Sequence, residues 1–121
     1  MQIYIYCQQT NKHKKDMLQL KHKAEMARAL ANNPLVVVKF SAPWCVPCQG
    51  YAPIFESTEK KFNGKATFAE VNVEECDELD STHNVRSVPT TIVFRDCIEV
   101  GRVTGALSAI ALEQLIVDNM Q

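Results

Sequence analysis

Two closely spaced cysteines are the residues of this sequence whose types and spacing point most directly to chemistry. In the stretch FSAPWCVPCQG, residues 40–50, Cys45 and Cys48 are separated by two residues, and one of these is Pro47. Such a pair can ligate a metal, close a small structural disulfide, or exchange electrons with another thiol pair. The rest of the sequence has to distinguish between these three chemistries.

The composition favours a small globular protein that binds neither nucleic acid nor an acidic membrane. The chain has 121 residues, of which 46% are hydrophobic and 22% are charged, so we expect a single domain over residues 1–121. A formal net charge of −1 gives no reason to expect nucleic acid or an acidic membrane as a partner. No apolar run reaches membrane-spanning length, and the first ten residues lack a secretion signal pattern. We therefore expect a cytoplasmic protein.

The number of cysteines also indicates the redox state of the compartment. Five cysteines cannot all be paired within one chain, which argues against a secreted disulfide framework. A reducing compartment fits better, and there a close pair is more often catalytic or metal-binding than a static cross-link.

The elements around the pair place it at the junction of a strand and a helix. Residues 35–40, LVVVKF, are typical of a strand covered on both faces. After the cysteines, apolar and small residues recur at helical spacing until Asn63-Gly64 provides a stop: Tyr51, Phe55, Thr58 and Phe62. The pair therefore lies at the carboxyl end of a central strand, where chemistry collects in open sheets of this kind.

The remaining patterns predict a mixed α/β architecture. Residues 2–6 alternate like a strand, and residues 12–31 are predicted to form a helix that ends at NNP. The apolar face predicted for that helix consists of Met17, Leu20, Ala24, Ala27 and Ala31, and the lysines between residues 11 and 23 are interpreted as its solvated face. Residues 66–73 are predicted to form another strand, followed by a short helix with Cys76, Leu79 and His83 on its inner side.

The last third of the chain predicts a hairpin and a helix. Residues 90–94 and 98–103 flank a turn at Arg95-Asp96-Cys97, and Ser108 is placed to cap a helix. The inner face of this last helix is predicted to contain Leu112, Leu115 and Ile116. Together the elements predict a central mixed sheet of about five strands, flanked by about four helices.

A position at the start of a helix would give the two thiols different roles. If Cys45 begins the helix, unpaired backbone N–H groups and the helix dipole favour its thiolate, so it is the predicted nucleophile. Cys48 lies almost one turn later and is the predicted resolving thiol. Pro47 suits a first helical turn. Trp44 is predicted to shield the pair and to offer a flat apolar surface to a partner.

The two other chemistries have less support. Structural zinc needs four ligands, so Cys76 and His83 would have to be recruited from a separate element. A structural disulfide between Cys45 and Cys48 would close too small a loop to restrain the unfolded chain much.

The sequence resembles the thioredoxin family. The stretch VVVKFSAPWCVPC is similar to the active-site strand and motif of thioredoxins, whose usual form is Trp-Cys-Gly-Pro-Cys. Pro53 matches the proline of the family's active-site helix, Val88-Pro89-Thr90 matches its cis-proline loop, and Gly105 matches the glycine before its last helix. The resemblance covers roughly residues 33 to 120 and implies the thioredoxin fold.

The resemblance also implies a substrate site and partners. It implies that Pro89 is in the cis form beside the disulfide and that the backbone of Val88 pairs with an extended substrate segment; the alternative is an ordinary trans proline. Disulfide-containing proteins would be the substrates, and a separate thioredoxin reductase using NADPH would restore the electrons. No cofactor or metal beyond the Cys45–Cys48 disulfide is expected, and a monomer is expected.

Four positions depart from the family pattern. Lys39 stands where the family has a buried aspartate, and Glu70 aligns with a family lysine. Our hypothesis is that Lys39 and Glu70 form a partly buried ion pair beneath Cys48 that modulates proton transfer; the alternative is that both side chains face solvent. Val46 replaces the usual glycine and is expected to change the redox potential, and Gln49 replaces a lysine or arginine and removes a positive charge beside the pair.

These features favour a disulfide reductase in which Cys45 attacks and Cys48 resolves. The alternatives are a thioredoxin-like binding module or weak redox sensor, and an oxidase or isomerase, which would need an oxidising compartment. Cys76 is interpreted as a small core residue, and Cys97 as an exposed thiol through which a dimer could form. No function is assigned to Cys7.

Overall fold

A computed structural model describes residues 17–120, which form five strands and four helices. In chain order these are β1 Leu18–Gln19, α1 Lys23–Asn32, β2 Leu35–Ser41, α2 Val46–Lys61, β3 Thr67–Asn72, α3 Asp77–Thr82, β4 Thr90–Arg95, β5 Ile98–Thr104 and α4 Ala109–Asp118. The strand predicted at residues 2–6 lies outside the described residues.

The five strands form one mixed sheet in the order β1-β3-β2-β4-β5. β3 is parallel to both β1 and β2, whereas β4 is antiparallel to β2 and to β5. This sheet with four helices is the architecture that the order of the elements predicted.

β2 is the central strand, and all seven of its residues are buried. Successive side chains point to opposite faces of a sheet, so β2 contributes to two cores. One core includes Val36, Val38 and Phe40, and the other includes Leu35 and Val37. Packing on both faces makes β2 a rigid platform, and this platform ends four residues before Cys45.

The helix predicted over residues 12–31 begins later than expected. Residues Leu18–Gln19 are a short strand paired with β3, and α1 starts at Lys23. The Glu25 carboxylate accepts hydrogen bonds from the backbone N–H groups of Lys21 at 2.7 Å and His22 at 3.1 Å, which satisfies the helix N-terminus at this point. The part of the prediction on residues 12–16 lies outside the described residues.

The apolar face predicted for this helix is also wrong. The residues of α1 that are buried are Met26 and Ala29, whereas Ala24, Ala27 and Ala31 are exposed. Alanines follow the helical period but bury little apolar area, so the larger Met26 determines which face packs on the sheet.

The helix stop at Asn63-Gly64, the cap at Ser108 and the hairpin are confirmed, but the hairpin turn is shorter than predicted because Arg95 still belongs to β4. α2 ends at Lys61 and is followed by Gly64, whose φ of +86° suits a residue without a Cβ atom. The hydroxyl of Ser108 accepts the backbone N–H of Ala111 at 3.1 Å and caps α4. The hairpin turn has positive φ at both Asp96 and Cys97 (52° and 73°), as a two-residue type I′ turn requires.

Candidate active site

The two cysteines lie where β2 passes into α2. Cys45 is the N-cap residue of α2, and Cys48 lies in its first turn. Their Cα atoms are 5.2 Å apart, and a disulfide joins their sulfur atoms. The sequence prediction that Cys45 begins a helix is confirmed.

The position of Cys45 at the start of α2 brings a backbone N–H group to its sulfur. The backbone N–H of Cys48 donates a hydrogen bond to Cys45 Sγ at 3.2 Å. Pro47 follows at the start of α2, where its missing N–H is not needed. Once the disulfide is reduced, this N–H and the positive end of the helix dipole favour a thiolate on Cys45.

Exposed apolar side chains flank the disulfide. Trp44 is 64% exposed and Val46 is 73% exposed, whereas Cys45 and Cys48 are only 5% and 4% exposed. The nearly covered sulfur atoms therefore lie beside an exposed apolar surface.

The loop before β4 packs against the disulfide. The Val88–Pro89 peptide bond is cis, so the prediction of a cis proline is confirmed and the alternative of a trans proline is wrong. The carbonyl oxygen of Val88 lies 3.7 Å from Cys45 Sγ, and the side chain of Val88 packs on the small cluster of Ala42, Cys45 and Cys48. The Pro89 carbonyl accepts the backbone N–H of Gly105 at 2.7 Å, which anchors this loop to the end of β5.

Lys39 and Glu70 form an ion pair inside the protein. They are adjacent in the register of β2 and β3, and Lys39 Nζ lies 3.3 Å from Glu70 Oε2. Lys39 is only 2% exposed, and its Nζ lies 5.1 Å from the centroid of the Phe55 ring. The alternative in which both side chains face solvent is therefore wrong.

Glu70 is held by two further hydrogen bonds. Gln19 Nε2 donates to Oε1 at 3.1 Å, and the Ser41 hydroxyl donates to Oε2 at 3.2 Å. Burial acts to raise the pKa of Glu70, but the hydrogen bond from Gln19 and the charge of Lys39 outweigh it, so the pKa lies below its ordinary value. Sequence reasoning missed Gln19 and Ser41, because only the strand register brings them to Glu70.

A pocket of about 440 Å³ opens beside Cys48. It is lined by Gln19, Lys21, Ser41, Ala42, Pro43, Cys48, Gln49, Glu70, Asn72 and Glu75. The pocket therefore brings the resolving cysteine and one member of the buried ion pair to a common space. Gln49, which also lines it, donates from Nε2 to the Pro43 carbonyl at 3.1 Å.

The other cysteines of the described chain differ in accessibility. Cys76 is buried, and its thiol donates a hydrogen bond to the Lys21 carbonyl at 2.6 Å. Cys97 is exposed in the hairpin turn. Both placements agree with the sequence interpretation, whereas Cys7 lies outside the described residues.

Residues 17–120 form neither a metal-binding cluster nor a helix able to cross a membrane. In this range no group of three or more histidine, cysteine, aspartate or glutamate side chains is arranged to hold a metal ion. None of the four helices has both the length and the apolar character needed to cross a membrane.

Comparisons with known proteins agree with this geometry. The family model described as Thioredoxin matches residues 17–118. The chain is 39% identical over 83 residues to the H-type thioredoxin of Oryza sativa subsp. indica, covering 69% of this chain and 67% of that relative. It is 36% identical over 102 residues to the thioredoxin of Mycoplasmoides gallisepticum, covering 83% of this chain and 99% of that relative.

Length and structure comparisons extend this result. The chain spans only 46% of the length of the chloroplastic M-type thioredoxin of Triticum aestivum. The solved structure of Plasmodium falciparum thioredoxin superposes with a TM-score of 0.79 at 34% identity, covering 85% of this chain and 99% of that one. The chain therefore belongs to the thioredoxin family, whose members are dithiol–disulfide oxidoreductases.

Proposed function

We propose that this thiol–disulfide oxidoreductase works as a reductase of disulfides in other proteins, with Cys45 as the nucleophile and Cys48 as the resolving thiol. The observation that carries the proposal is the hydrogen bond from the Cys48 N–H to Cys45 Sγ at the start of α2. It distinguishes the two sulfurs, because it supports negative charge on Cys45.

The reaction takes place in two exchanges. The Cys45 thiolate attacks one sulfur of the substrate disulfide, a bond forms between Cys45 and that sulfur, and the other substrate sulfur leaves as a thiolate. The Cys48 thiolate then attacks Cys45 Sγ, the Cys45–Cys48 bond forms, and the second substrate sulfur leaves. Two electrons pass from the dithiol to the substrate, whose two thiolates take protons from solvent.

The proposed substrate surface consists of Trp44, Val88 and Pro89. Trp44 is exposed beside the sulfur atoms, and the cis-proline loop lies within contact distance of Cys45. An extended substrate segment would rest on Trp44 and pair with the backbone of Val88, which places its disulfide next to Cys45. This is strand-like pairing, in which the main chain gives affinity and side-chain contacts give specificity.

The remaining assignments follow from the same proposal. We place the protein in the cytoplasm, as a single domain over residues 1–121 that acts as a monomer. No cofactor is assigned beyond the disulfide. Family membership supports a separate NADPH-dependent thioredoxin reductase as the electron donor.

Insulin reduction tests the proposed function. Wild type is compared with Cys45→Ser, with dithiothreitol as the electron source and the precipitation of reduced insulin chains as the readout. We expect wild type to accelerate reduction strongly and Cys45→Ser to abolish the acceleration. If folded wild type does not accelerate reduction, the proposal is wrong and a thioredoxin-like binding module or redox sensor becomes the better interpretation.

A further inference from the structure

A lysine in the middle of a wholly buried strand requires an explanation. Lys39 is 2% exposed, and its neighbours in β2 are apolar except for Ser41. Lysine is almost never fully buried unless its charge is paired. Because replacing a buried ion pair with apolar residues is often neutral or stabilising, the pair itself is weak support for a role in stability. Its position relative to the disulfide is therefore more informative.

The ion pair lies on the face of the sheet that α2 covers. The Lys39 ammonium contacts the Phe55 ring of α2, and Cys48 is seven residues before Phe55. Seven residues are about two turns, so Cys48 lies on the same face of α2, about 10 Å along the helix axis. Glu70 also lines the pocket beside Cys48. Both charges therefore act on the surroundings of the resolving sulfur.

Glu70 is a poor candidate for the base that takes the proton of Cys48. Both of its oxygens already accept hydrogen bonds or pair with Lys39. Burial acts to raise the pKa of Glu70, but Gln19 and Lys39 bring it below the ordinary value. A carboxylate with a lowered pKa is a poor proton acceptor, because an efficient base has a pKa near the operating pH. An electrostatic role explains the pair better.

On the basis of the proposed function, we propose that Lys39 and Glu70 are positioning residues whose opposite charges balance each other at Cys48 and so set the rate at which Cys48 resolves the mixed disulfide. The Lys39 cation stabilises the Cys48 thiolate, and the Glu70 carboxylate destabilises it. In the step they control, the Cys48 thiolate bonds to Cys45 Sγ, the bond from Cys45 to the substrate sulfur breaks, and that sulfur leaves as a thiolate and takes a proton from solvent.

The other charged groups of the pocket have less influence. Lys21 and Glu75 also line it, but both are exposed, so water and salt screen their charges. As a general scale, a poorly screened unit charge about 10 Å from a protonated thiol, at an effective dielectric constant of about 20, changes the thiolate population roughly tenfold. A change of this size in the resolving rate is readily measured.

Stopped-flow reaction of the reduced protein with dithiobis(nitrobenzoate) measures this rate. Attack by Cys45 releases one thionitrobenzoate, and attack by Cys48 on the resulting mixed disulfide releases a second. The second phase is measured as a function of pH for wild type, Lys39→Met, Glu70→Gln and the double variant. All carry Cys7→Ser and Cys97→Ser, so that neither Cys7 nor the exposed Cys97 releases thionitrobenzoate. Circular dichroism first establishes that each variant is folded.

The proposal predicts opposite signs for the two single substitutions. Lys39→Met is expected to slow the second phase roughly tenfold at neutral pH and to move its profile to higher pH, because the unpaired Glu70 carboxylate disfavours the thiolate. Glu70→Gln is expected to accelerate it and to move the profile to lower pH, and the double variant is expected to resemble wild type. Lys61→Met is the matched control, because it removes a lysine from an exposed ion pair with Glu113 at the far end of α2, and it is expected to change nothing.

Shifts in the same direction for the two single variants, or no shift in either, would overturn the proposal. Lys39→Met carries the test if Glu70→Gln does not fold, because it leaves a carboxylate whose side chain is 28% exposed and can be hydrated. If wild type itself shows no second phase and does not reduce insulin, the proposed function is wrong and this inference fails with it. If wild type shows both and the variants show no shift, only the inference fails.

Discussion

The backbone N–H of Cys48 donates to the sulfur of Cys45 across 3.2 Å, within a disulfide that joins the same two residues. The relationship is unequal, because this N–H and the helix N-terminus support charge on the sulfur of Cys45, whereas Cys48 itself lies within the first turn of α2. The two thiols are therefore expected to differ in what their loss does to the reaction.

Loss of the resolving thiol should trap the substrate. In Cys48→Ser, Cys45 can still attack a substrate disulfide, but the serine hydroxyl cannot displace the substrate sulfur. We expect a persistent covalent complex with a reducible protein substrate on a non-reducing gel, and none with Cys45→Ser. Both variants carry Cys7→Ser and Cys97→Ser, so that neither of these thiols forms an adduct. A complex of equal yield from the two variants would mean that the roles of the cysteines are wrongly assigned.

Trp44 should matter for substrate binding and very little for folding. Since it is 64% exposed, we expect Trp44→Ala to change the free energy of unfolding by no more than about 0.5 kcal/mol. The lost apolar contact should raise the apparent KM for insulin several-fold. Ile98→Ala is the matched control, because Ile98 is 65% exposed on β5 and should leave both quantities unchanged. An equal effect of the two substitutions on KM would argue against a substrate surface at Trp44.

The patterns that predicted the fold correctly are those in which one physical cause dominates. The β-branched run of β2 can bury both faces only as a central strand, and the helix start at Cys45 follows from the proline and the apolar period of α2. The prediction for α1 was wrong because alanines and lysines follow a helical period without fixing where the helix begins. Capping by Glu25 and the pairing of Leu18–Gln19 with β3 fix this point.

At the site, sequence spacing identified the sulfurs but not their surroundings. The pairing of Lys39 with Glu70 was predicted from a resemblance and an alignment of two positions. The contributions of Gln19 and Ser41 could not be predicted, because they depend on the register of β1, β2 and β3. A pocket formed by residues of three strands, a helix and several loops leaves no periodic signal in the sequence.

The two members of the ion pair should differ in their effect on stability. Glu70→Gln leaves Lys39, whose side chain is only 3% exposed, without a counter-charge, whereas Lys39→Met leaves a carboxylate whose side chain is 28% exposed and can be hydrated. Breaking a buried pair costs about 3–5 kcal/mol, and we expect Glu70→Gln to be nearer this range than Lys39→Met. Urea unfolding of the oxidised proteins measures both values. A larger loss for Lys39→Met would show that the carboxylate is the less hydrated member.

Acid should weaken the contribution of Glu70 to stability. Burial alone would raise the pKa of Glu70, yet Gln19 and Lys39 hold it below its ordinary value. Glu70 therefore binds a proton more readily in the unfolded chain than in the folded protein. The contribution is therefore present above the unfolded pKa of about 4.3 and is lost as the pH falls through the folded pKa. We expect the stability difference between wild type and Glu70→Gln to shrink over this range.

Urea unfolding at a series of pH values between neutral and acid measures this difference. Some acid sensitivity should remain in Glu70→Gln, because a hydrogen bond from Arg102 lowers the pKa of Glu99 as well. A stability difference that stays constant or grows on acidification would contradict the assignment of a lowered pKa to Glu70.

The two free cysteines of the described chain should react at very different rates in the oxidised protein. Cys97 is exposed in the hairpin turn, whereas Cys76 is buried and donates its thiol hydrogen to the Lys21 carbonyl. Burial raises the pKa of Cys76, and the charge of Asp80 adds to this effect, so little of the reactive thiolate is present. Because Cys7 also carries a thiol, each site is identified by substitution: Cys97→Ser should remove a fast reaction with iodoacetamide, and Cys76→Ser should leave the fast reaction unchanged. Peptide mass spectrometry of the alkylated protein locates the label, and rapid labelling of Cys76 in folded wild type would contradict its placement in the core.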